Sequence, residues 1–144
     1  MLIGINPVIG PELLDTLFRI GHGDEIVLAD AFFPGHSTNS RVIRADGLKI
    51  PALLDGILAL MNLDTYVSHP LAMMAAAPGD SLDPAVEQSF RAVIDKHWPG
   101  TPPVELIERF ALYERTRNAY AVVMTGETVK YANIILKKGV IPYS

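Results

Sequence analysis

The chain has 144 residues, 49% of them apolar and 19% charged, a composition that fits one folded domain and excludes a disordered protein. The net charge of −4, with 12 basic residues scattered along the chain, gives no electrostatic footprint for nucleic acid. Cysteine is absent, which excludes disulfides, thiol nucleophiles and cysteine-based zinc sites. No apolar stretch approaches the ~20 residues of a membrane helix, and the N-terminus lacks the basic and apolar regions of a signal peptide. We therefore expect a cytoplasmic protein with no membrane partner.

Short apolar runs bounded by proline and glycine predict strands, and apolar residues at helical spacing predict helices. In chain order we predict a helix beginning at 10–12 and ending at Gly21, a strand at 25–29, a long irregular loop at 31–40, a short strand at 42–47, a helix at 51–61, a strand at 71–76, a helix at 83–98, a strand at 104–107, a helix at 109–118, and strands at 121–124 and 133–136. Helices alternate with strands, so the predicted fold is α/β. It is a single-domain sandwich over 1–144, with a central largely parallel or mixed sheet flanked by helices.

Two further expectations concern apolar side chains. The helical spacing places Phe18 on the inner face of the first helix, and Phe110 and Tyr113 on the inner side of the helix at 109–118. The mean hydropathy of +0.25 is high for a small monomer. This value favours a self-association surface over a core that is merely rich in alanine and leucine.

His22 and Asp30 are the first candidate functional residues. His22 lies between Gly21 and Gly23, just past a helix C-terminus whose dipole favours the protonated imidazole. Asp30 ends the strand at 25–29, and open α/β sheets place their chemistry at strand ends. The alternatives are structural: a histidine that caps the helix, and an aspartate that caps the following turn.

Arg109, Tyr131 and Asn133 complete the candidate set. Tyr131 and Asn133 alternate along the chain at the entry to a strand, so their polar groups share one side. The alternative for Arg109 is a solvated helix residue, and the alternative for Tyr131 and Asn133 is an ordinary strand start. The remaining histidines, His36 and His69 among them, lie without metal-ligand spacing.

The motifs of nucleotide-binding and hydrolase folds are also missing from the sequence, including glycine-rich phosphate loops and the Gly-x-Ser-x-Gly elbow. We therefore predict no metal and no cofactor. The candidate residues supply an acid/base group, a carboxylate, a guanidinium and amide or phenol donors. This combination suits the binding of a neutral polyhydroxylated molecule and proton transfer on it.

Several motifs agree with one family in order and spacing. The chain resembles the D-ribose pyranase / L-fucose mutarotase family at Gly21-His22-Gly23-Asp24, Asp30-Ala31, Gly126-Glu127 and Tyr131-Ala132-Asn133-Ile134-Ile135-Leu136. The stretches 109–115, 33–37, 44–47 and 137–140 are similar to its fucose mutarotase side. The resemblance covers nearly the whole chain.

The resemblance implies a cofactor-free isomerase that interconverts the anomers of a monosaccharide, with L-fucose first among them, and a decamer of two pentameric rings. By position, His22 becomes the acid/base residue, and the sugar-binding residues are Asp30, Arg109, Tyr131, Ala132 and Asn133. Ala132 departs from the fucose branch, which often has glycine there, whereas the ribose branch has alanine. D-ribose pyranase activity and a non-catalytic sugar-binding accessory protein are the alternatives.

The spacing of His22 and Asp30 poses a geometric problem. A straight five-residue strand separates its ends by roughly 16 Å at ~3.3 Å per residue. The strand is therefore shorter, or the loop at His22 folds back, or the two residues belong to sites completed by neighbouring subunits.

Overall fold

A computed structural model describes residues 1–142, so the last two residues of the predicted domain lie outside it. The helices and strands are α1 (Pro11–Arg19), β1 (Glu25–Ala29), α2 (Gly35–Thr38), β2 (Val42–Ala45), α3 (Ile50–Leu58), β3 (Leu71–Met74), α4 (Pro84–His97), β4 (Glu105–Ile107), α5 (Arg109–Asn118), β5 (Ala121–Thr125) and β6 (Ile134–Lys137). The α/β fold class is confirmed: the chain forms a mixed sheet flanked by helices.

The sheet has six strands in the order β2-β5-β1-β6-β3-β4. β6 lies between β1 and β3 and pairs with both in antiparallel fashion, whereas the β1–β5, β2–β5 and β3–β4 pairs are parallel. Five strands therefore end at one edge of the sheet, where β6 begins. We call this edge, which contains Asp30 and Asn133, the Asp30 edge. The opposite edge, which contains His22 and Lys138, is the His22 edge.

Both faces of the sheet are covered. Alternate residues of β1 enter the two cores, because successive side chains of a strand point to opposite faces. Ile26 and Leu28 pack with α1, α3 and α4, and Val27 and Ala29 pack with α5 and the loop after β1. All four are completely buried. A buried side chain of the size of Leu28 contributes roughly 1.5–3 kcal/mol, so the cores hold the strand, and with it both edges, in place.

The predicted inner positions of two phenylalanines are wrong. Phe18 is 91% exposed and Phe110 is 62% exposed. The buried stripe of α1 passes through Leu13 and Leu17, four residues apart, and Phe18 lies 100° further round the helix. In α5 the buried positions are Leu112 and Thr116, again four residues apart, and the predicted inner residue Tyr113 is half-buried.

The loop predicted at 31–40 contains the short helix α2, which at four residues is too short to show a period in the sequence. The Thr38 hydroxyl donates to the carbonyls of Pro34 and Gly35, which closes this turn. Asn39 then donates to carbonyl oxygens at the end of α5. Other predicted elements are shorter than expected: β2 ends at Ala45, α3 at Leu58 and β3 at Met74.

Candidate functional site

Asp30 follows β1 directly and is only 6% exposed. Its backbone N–H donates to Asn133 Oδ1 at 2.8 Å, and its own Oδ1 accepts from Phe32 N–H at 2.9 Å. Burial raises the pKa of Asp30, and the hydrogen bonds from Phe32 and Asn133 oppose this only in part. A carboxylate with a raised pKa accepts a proton more readily near neutral pH, which suits acid/base work.

Tyr131, Ala132 and Asn133 form the turn that enters β6. Tyr131 has a φ of 63°, in the left-handed region that bulky residues rarely adopt. Its hydroxyl donates to Asp80 Oδ2 at 2.7 Å and accepts from Ala77 N–H at 3.2 Å, so the phenol is already engaged within the chain. The Ala132 methyl is 1% exposed and packs into the core under α3 and α4. Of this turn, Asn133 therefore makes the direct contact with Asp30.

Gly126 fixes the loop after β5 beside Asp30. A Cβ on Gly126 would collide with the carbonyl oxygen of Asp46, so only glycine allows the two segments to lie this close. The next residue, Glu127, accepts the Ala31 N–H through its backbone carbonyl at 2.8 Å. The predicted motif Gly126-Glu127 thus joins the chain just after Asp30 to the loop that follows β2.

Arg109 is the first residue of α5 and lies exposed at the Asp30 edge, because β4 ends there. Its guanidinium lies 4.6 Å from the ring centroid of Phe110 and makes no ion pair within residues 1–142. The Tyr113 ring lies 6.1 Å from Phe110 and 5.5 Å from Phe33, which connects this turn to the loop after Asp30. The strands β1 and β4 are three spacings apart, or roughly 14 Å at ~4.8 Å each. Arg109 therefore shares the edge with Asp30 without touching it.

His22 lies at the opposite edge. Its Nε2 is 3.2 Å from Asp64 Oδ1, and its ring centroid is 5.3 Å from that of Tyr66. The imidazole is about half exposed, whereas the Asp64 carboxylate is buried. Burial alone would raise the pKa of Asp64, but hydrogen bonds from the Tyr66 N–H and from His22 lower it overall. This contact occupies Nε2 and leaves the other ring nitrogen, Nδ1, available to a ligand.

Asp64 is the residue that the sequence analysis missed. Its link to His22 depends on two backbone contacts with the end of β6: Asp64 N–H donates to the Lys137 carbonyl, and Gly23 N–H donates to the Lys138 carbonyl. No local spacing relates position 22 to position 64. The one relevant signal in the sequence is the predicted strand at 133–136, because the segments of His22 and Asp64 both contact the backbone at its end.

A cleft of 640 Å³ lies beside the partners of His22, although His22 itself does not line it. Asp64 and Tyr66, the two residues that contact His22, form part of its wall together with Trp98 and the turn at 99–102. The Trp98 indole N–H donates to the carbonyls of Leu58 and Met61, which leaves the ring itself as cleft surface. The His22 edge therefore offers an open, partly aromatic surface, in contrast to the buried Asp30.

The structure keeps His22 and Asp30 apart. β1 is a full five-residue strand, so it is not shortened. The loop at His22 turns toward the end of β6 and not back along β1, because Gly23 and Asp24 exchange backbone hydrogen bonds with Lys138. With roughly 16 Å of strand between the two ends, one chain cannot bring both residues to a single sugar.

The other histidines do not join either edge cluster. His36 is exposed on α2. His69 Nδ1 lies 3.0 Å from the Pro103 carbonyl, and His97 Nε2 lies 2.7 Å from Asp55 Oδ1. Within residues 1–142, no group of three or more histidine or acidic side chains could hold a metal ion. Over the same residues, no helix is long and apolar enough to cross a membrane.

The sequence and the fold agree on one class of protein. The RbsD / FucU transport protein family matches residues 3–141, and the chain belongs to this family. Over 142 residues, the chain is 60% identical to an L-fucose mutarotase of Actinobacillus pleuropneumoniae and 55% identical to one of Haemophilus influenzae. Each alignment covers 99% of this chain and 99% of the relative.

Solved structures give the same relationship. The fucose mutarotase of Streptococcus pneumoniae, solved in complex with L-fucose, is 48% identical with a TM-score of 0.92, over 98% of this chain and 100% of that one. Bacillus subtilis RbsD in complex with D-ribose is 25% identical with a TM-score of 0.69, over 99% of this chain and 100% of that one. The ribose-binding relative is therefore clearly the more distant of the two.

Proposed function

We propose that this protein is an isomerase that interconverts the α and β anomers of L-fucose. The observation that carries the proposal is the match over 98% of the chain to a fucose mutarotase solved with L-fucose bound. The residue set supports it, since a histidine, a buried aspartate, an arginine and an asparagine amide suit a neutral sugar better than a charged or apolar ligand.

The chemistry needs proton transfer and little else. Anomer exchange requires the ring to open, the aldehyde to turn, and the ring to close on its other face. Opening takes a proton delivered to the ring oxygen and a proton removed from the anomeric hydroxyl. In the proposed mechanism His22, held by Asp64, delivers and reclaims the proton. Such transfer contributes ~10²–10⁴-fold in rate, which is sufficient because the reaction already proceeds in water.

The sugar-binding residues have distinct parts in the proposal. Asp30, with its raised pKa, accepts a hydroxyl proton or a hydroxyl hydrogen bond. Asn133 holds Asp30 through its backbone N–H, and Arg109 contributes donors to hydroxyl oxygens. Tyr131 and Ala132 shape the turn, because the Tyr131 hydroxyl and the Ala132 methyl are occupied inside the chain. No cofactor takes part in the proposed reaction.

We propose further that each site is completed by two copies of the chain. The separation of His22 from Asp30 supports this, because one copy can supply His22 and a neighbour can supply the Asp30 edge. Three exposed phenylalanines, Phe18, Phe32 and Phe110, are consistent with surfaces between copies. The expected assembly is a decamer of two pentameric rings in the cytoplasm. Sedimentation of the purified protein and fractionation of cells test these two expectations.

Ala132 does not favour the D-ribose alternative. Its side chain is 1% exposed and belongs to the core cluster with Phe90 and Ile134, so it adds little bulk at the surface where a sugar would bind. The 25% identity to the ribose-bound relative, against 48% to the fucose-bound one, supports the same preference.

Saturation-transfer NMR tests the proposed function. Irradiating one anomeric proton of L-fucose should reduce the signal of the other anomer when catalytic amounts of protein are present. D-ribose, D-galactose and L-rhamnose form the comparison panel, and we expect the fastest exchange with L-fucose. Saturable binding without faster exchange would identify a non-catalytic sugar-binding protein, and faster exchange with D-ribose alone would identify a pyranase.

A further inference from the structure

The loop after β3 and the loop before β6 are joined at the Tyr131 hydroxyl. It donates to Asp80 Oδ2, and Lys130 Nζ lies 2.6 Å from the other oxygen, Asp80 Oδ1. We propose that Asp80 is a positioning residue, which holds Tyr131 and through it sets Asn133 against Asp30. The inference rests on the proposed function, because Asn133 and Asp30 are sugar-binding residues there.

The backbone of Tyr131 requires such support. A left-handed φ places Cβ close to the following carbonyl, and a bulky residue keeps this conformation only where its surroundings hold it. On the backbone side, Asn133 N–H donates to the Tyr131 carbonyl at 2.9 Å. On the side-chain side, the hydroxyl is held between Asp80 and the Ala77 N–H. Asp80 therefore anchors the end of the side chain that is farthest from the strained backbone.

The effect passes to the site in two steps. Asn133 follows Tyr131 by two residues, and its Oδ1 accepts the Asp30 N–H at 2.8 Å. If the Tyr131 turn relaxes, Asn133 moves relative to Asp30, whose carboxylate is held separately by the Phe32 N–H. His22 lies at the opposite edge, and the Asp30 carboxylate keeps its own hydrogen bond from Phe32, so both proton-transfer groups stay in place. Loss of Asp80 should therefore weaken sugar binding and leave the turnover rate nearly unchanged.

Asp80 is well suited to this role at neutral pH. Hydrogen bonds from Lys130, Tyr131 and the Ser81 N–H lower its pKa to about 2, so the side chain is an ionised acceptor. An asparagine at this position would keep one oxygen for the Tyr131 hydroxyl and lose the charge that attracts Lys130. Alanine would lose both contacts. The two substitutions therefore separate the phenol contact from the ion pair.

The experiment measures L-fucose anomer exchange at several sugar concentrations in the wild type and in Asp80→Ala, Asp80→Asn and Tyr131→Phe. We expect Asp80→Ala and Tyr131→Phe to raise the half-saturating concentration about five- to tenfold at nearly constant turnover rate. Asp80→Asn should restore most of the affinity. The double variant Asp80→Ala/Tyr131→Phe should bind L-fucose no more weakly than the weaker single variant, because both substitutions remove the same Tyr131–Asp80 hydrogen bond. Asp15→Ala, which removes another exposed aspartate ion pair, is the matched control and should not change either constant.

Hydrogen exchange at the Asp30 amide gives a second readout, independent of catalysis. Its N–H donates to Asn133 Oδ1, so it should exchange faster in Asp80→Ala and at the wild-type rate in Asp15→Ala. Unchanged affinity and unchanged Asp30 exchange, or effects that add in the double variant, would overturn the role of Asp80. A wild-type protein that fails to exchange L-fucose anomers would overturn the proposed function instead, and the Asp30 amide would still test the positioning.

Discussion

The two edges of the sheet each contain one buried aspartate, and their environments shift the two pKa values in opposite directions. At the Asp30 edge, burial dominates and raises the pKa. At the His22 edge, donors from Tyr66 and His22 outweigh burial, and the pKa of Asp64 is lowered. Groups whose environments separate their pKa values in this way can divide acid and base roles. The comparison shows that residue type alone does not assign a role: in the proposed mechanism Asp64 supports the proton carrier His22, whereas Asp30 can itself take a proton.

The largest expected effect is at the His22 edge. His22→Ala should lower the rate of L-fucose anomer exchange by ~10²–10⁴-fold, the usual contribution of a general acid or base. Saturation-transfer NMR measures the rate, and titration with L-fucose should show that binding is retained. An unchanged rate would remove His22 from the mechanism and leave the Asp30 edge as the only candidate centre.

Mixed assemblies test whether the two edges of neighbouring copies meet. His22→Ala and Asp30→Asn chains, each inactive alone, are co-expressed with different tags and purified by both. In an equal mixture arranged at random, about one interface in four joins an intact His22 edge to an intact Asp30 edge, so up to about a quarter of wild-type activity should return. If the activity does not exceed the sum of the activities of the two single variants, His22 and Asp30 of neighbouring copies do not form a common site.

Asp64→Asn tests the support of the histidine. A hydrogen bond to a charged group contributes about 1.5–3 kcal/mol, so partial loss of this bond should slow exchange about tenfold without changing sugar affinity. The measurements are the turnover rate at saturating L-fucose and the half-saturating concentration, and we expect only the rate to fall in Asp64→Asn. Asp55→Asn is the matched control, because Asp55 contacts a different histidine, His97, between α3 and α4. A rate loss in the control equal to that in Asp64→Asn would argue for a general effect on stability.

The opposite pKa shifts predict opposite effects on stability. The folded-state pKa of Asp30 is raised, so its contribution is present below the unfolded value of ~3.9 and is lost as pH rises through the folded value. That of Asp64 is lowered, so its contribution is present above ~3.9 and is lost as pH falls through the folded value. Relative to the wild type, Asp30→Asn should therefore gain stability as pH rises from 3 to 8, and Asp64→Asn should lose it. Urea unfolding at fixed protein concentration measures both, and parallel curves would contradict the assignment.

The smallest expected effect is at Ala132. Because the Ala132 side chain is buried in the core, Ala132→Gly should change the half-saturating concentration of L-fucose by less than about twofold. The protein should lose roughly 0.5–1 kcal/mol of unfolding free energy, the typical cost of glycine relative to alanine. A larger change in the ratio of the L-fucose and D-ribose exchange rates in this variant would show that the methyl does reach the sugar.

Local patterns predicted the secondary structure and the position of Asp30 well. Asp83-Pro84 begins α4 as expected, and the Asp83 side chain accepts the Ala85 N–H, as an N-terminal cap should. Asp30 was found because it ends a short apolar strand. The strand directions were not predictable, because the residue pattern of a buried apolar run is the same in a parallel and in an antiparallel strand. Local patterns also could not identify the partners of His22 and Tyr131, because Asp64 and Asp80 are 42 and 51 residues away in sequence.

The length of β6 sets the distance between the Asp30 edge and the His22 edge. β6 is the antiparallel strand between β1 and β3, and Asn133 stands just before it and Lys138 just after it. The spacing between the two edges is thus set by four residues whose side chains are packed on both faces. Inserting one residue in β6 would turn its side chains to the wrong faces and displace both edges together. Redesign of this protein for another sugar must therefore change loop residues and keep the length of β6.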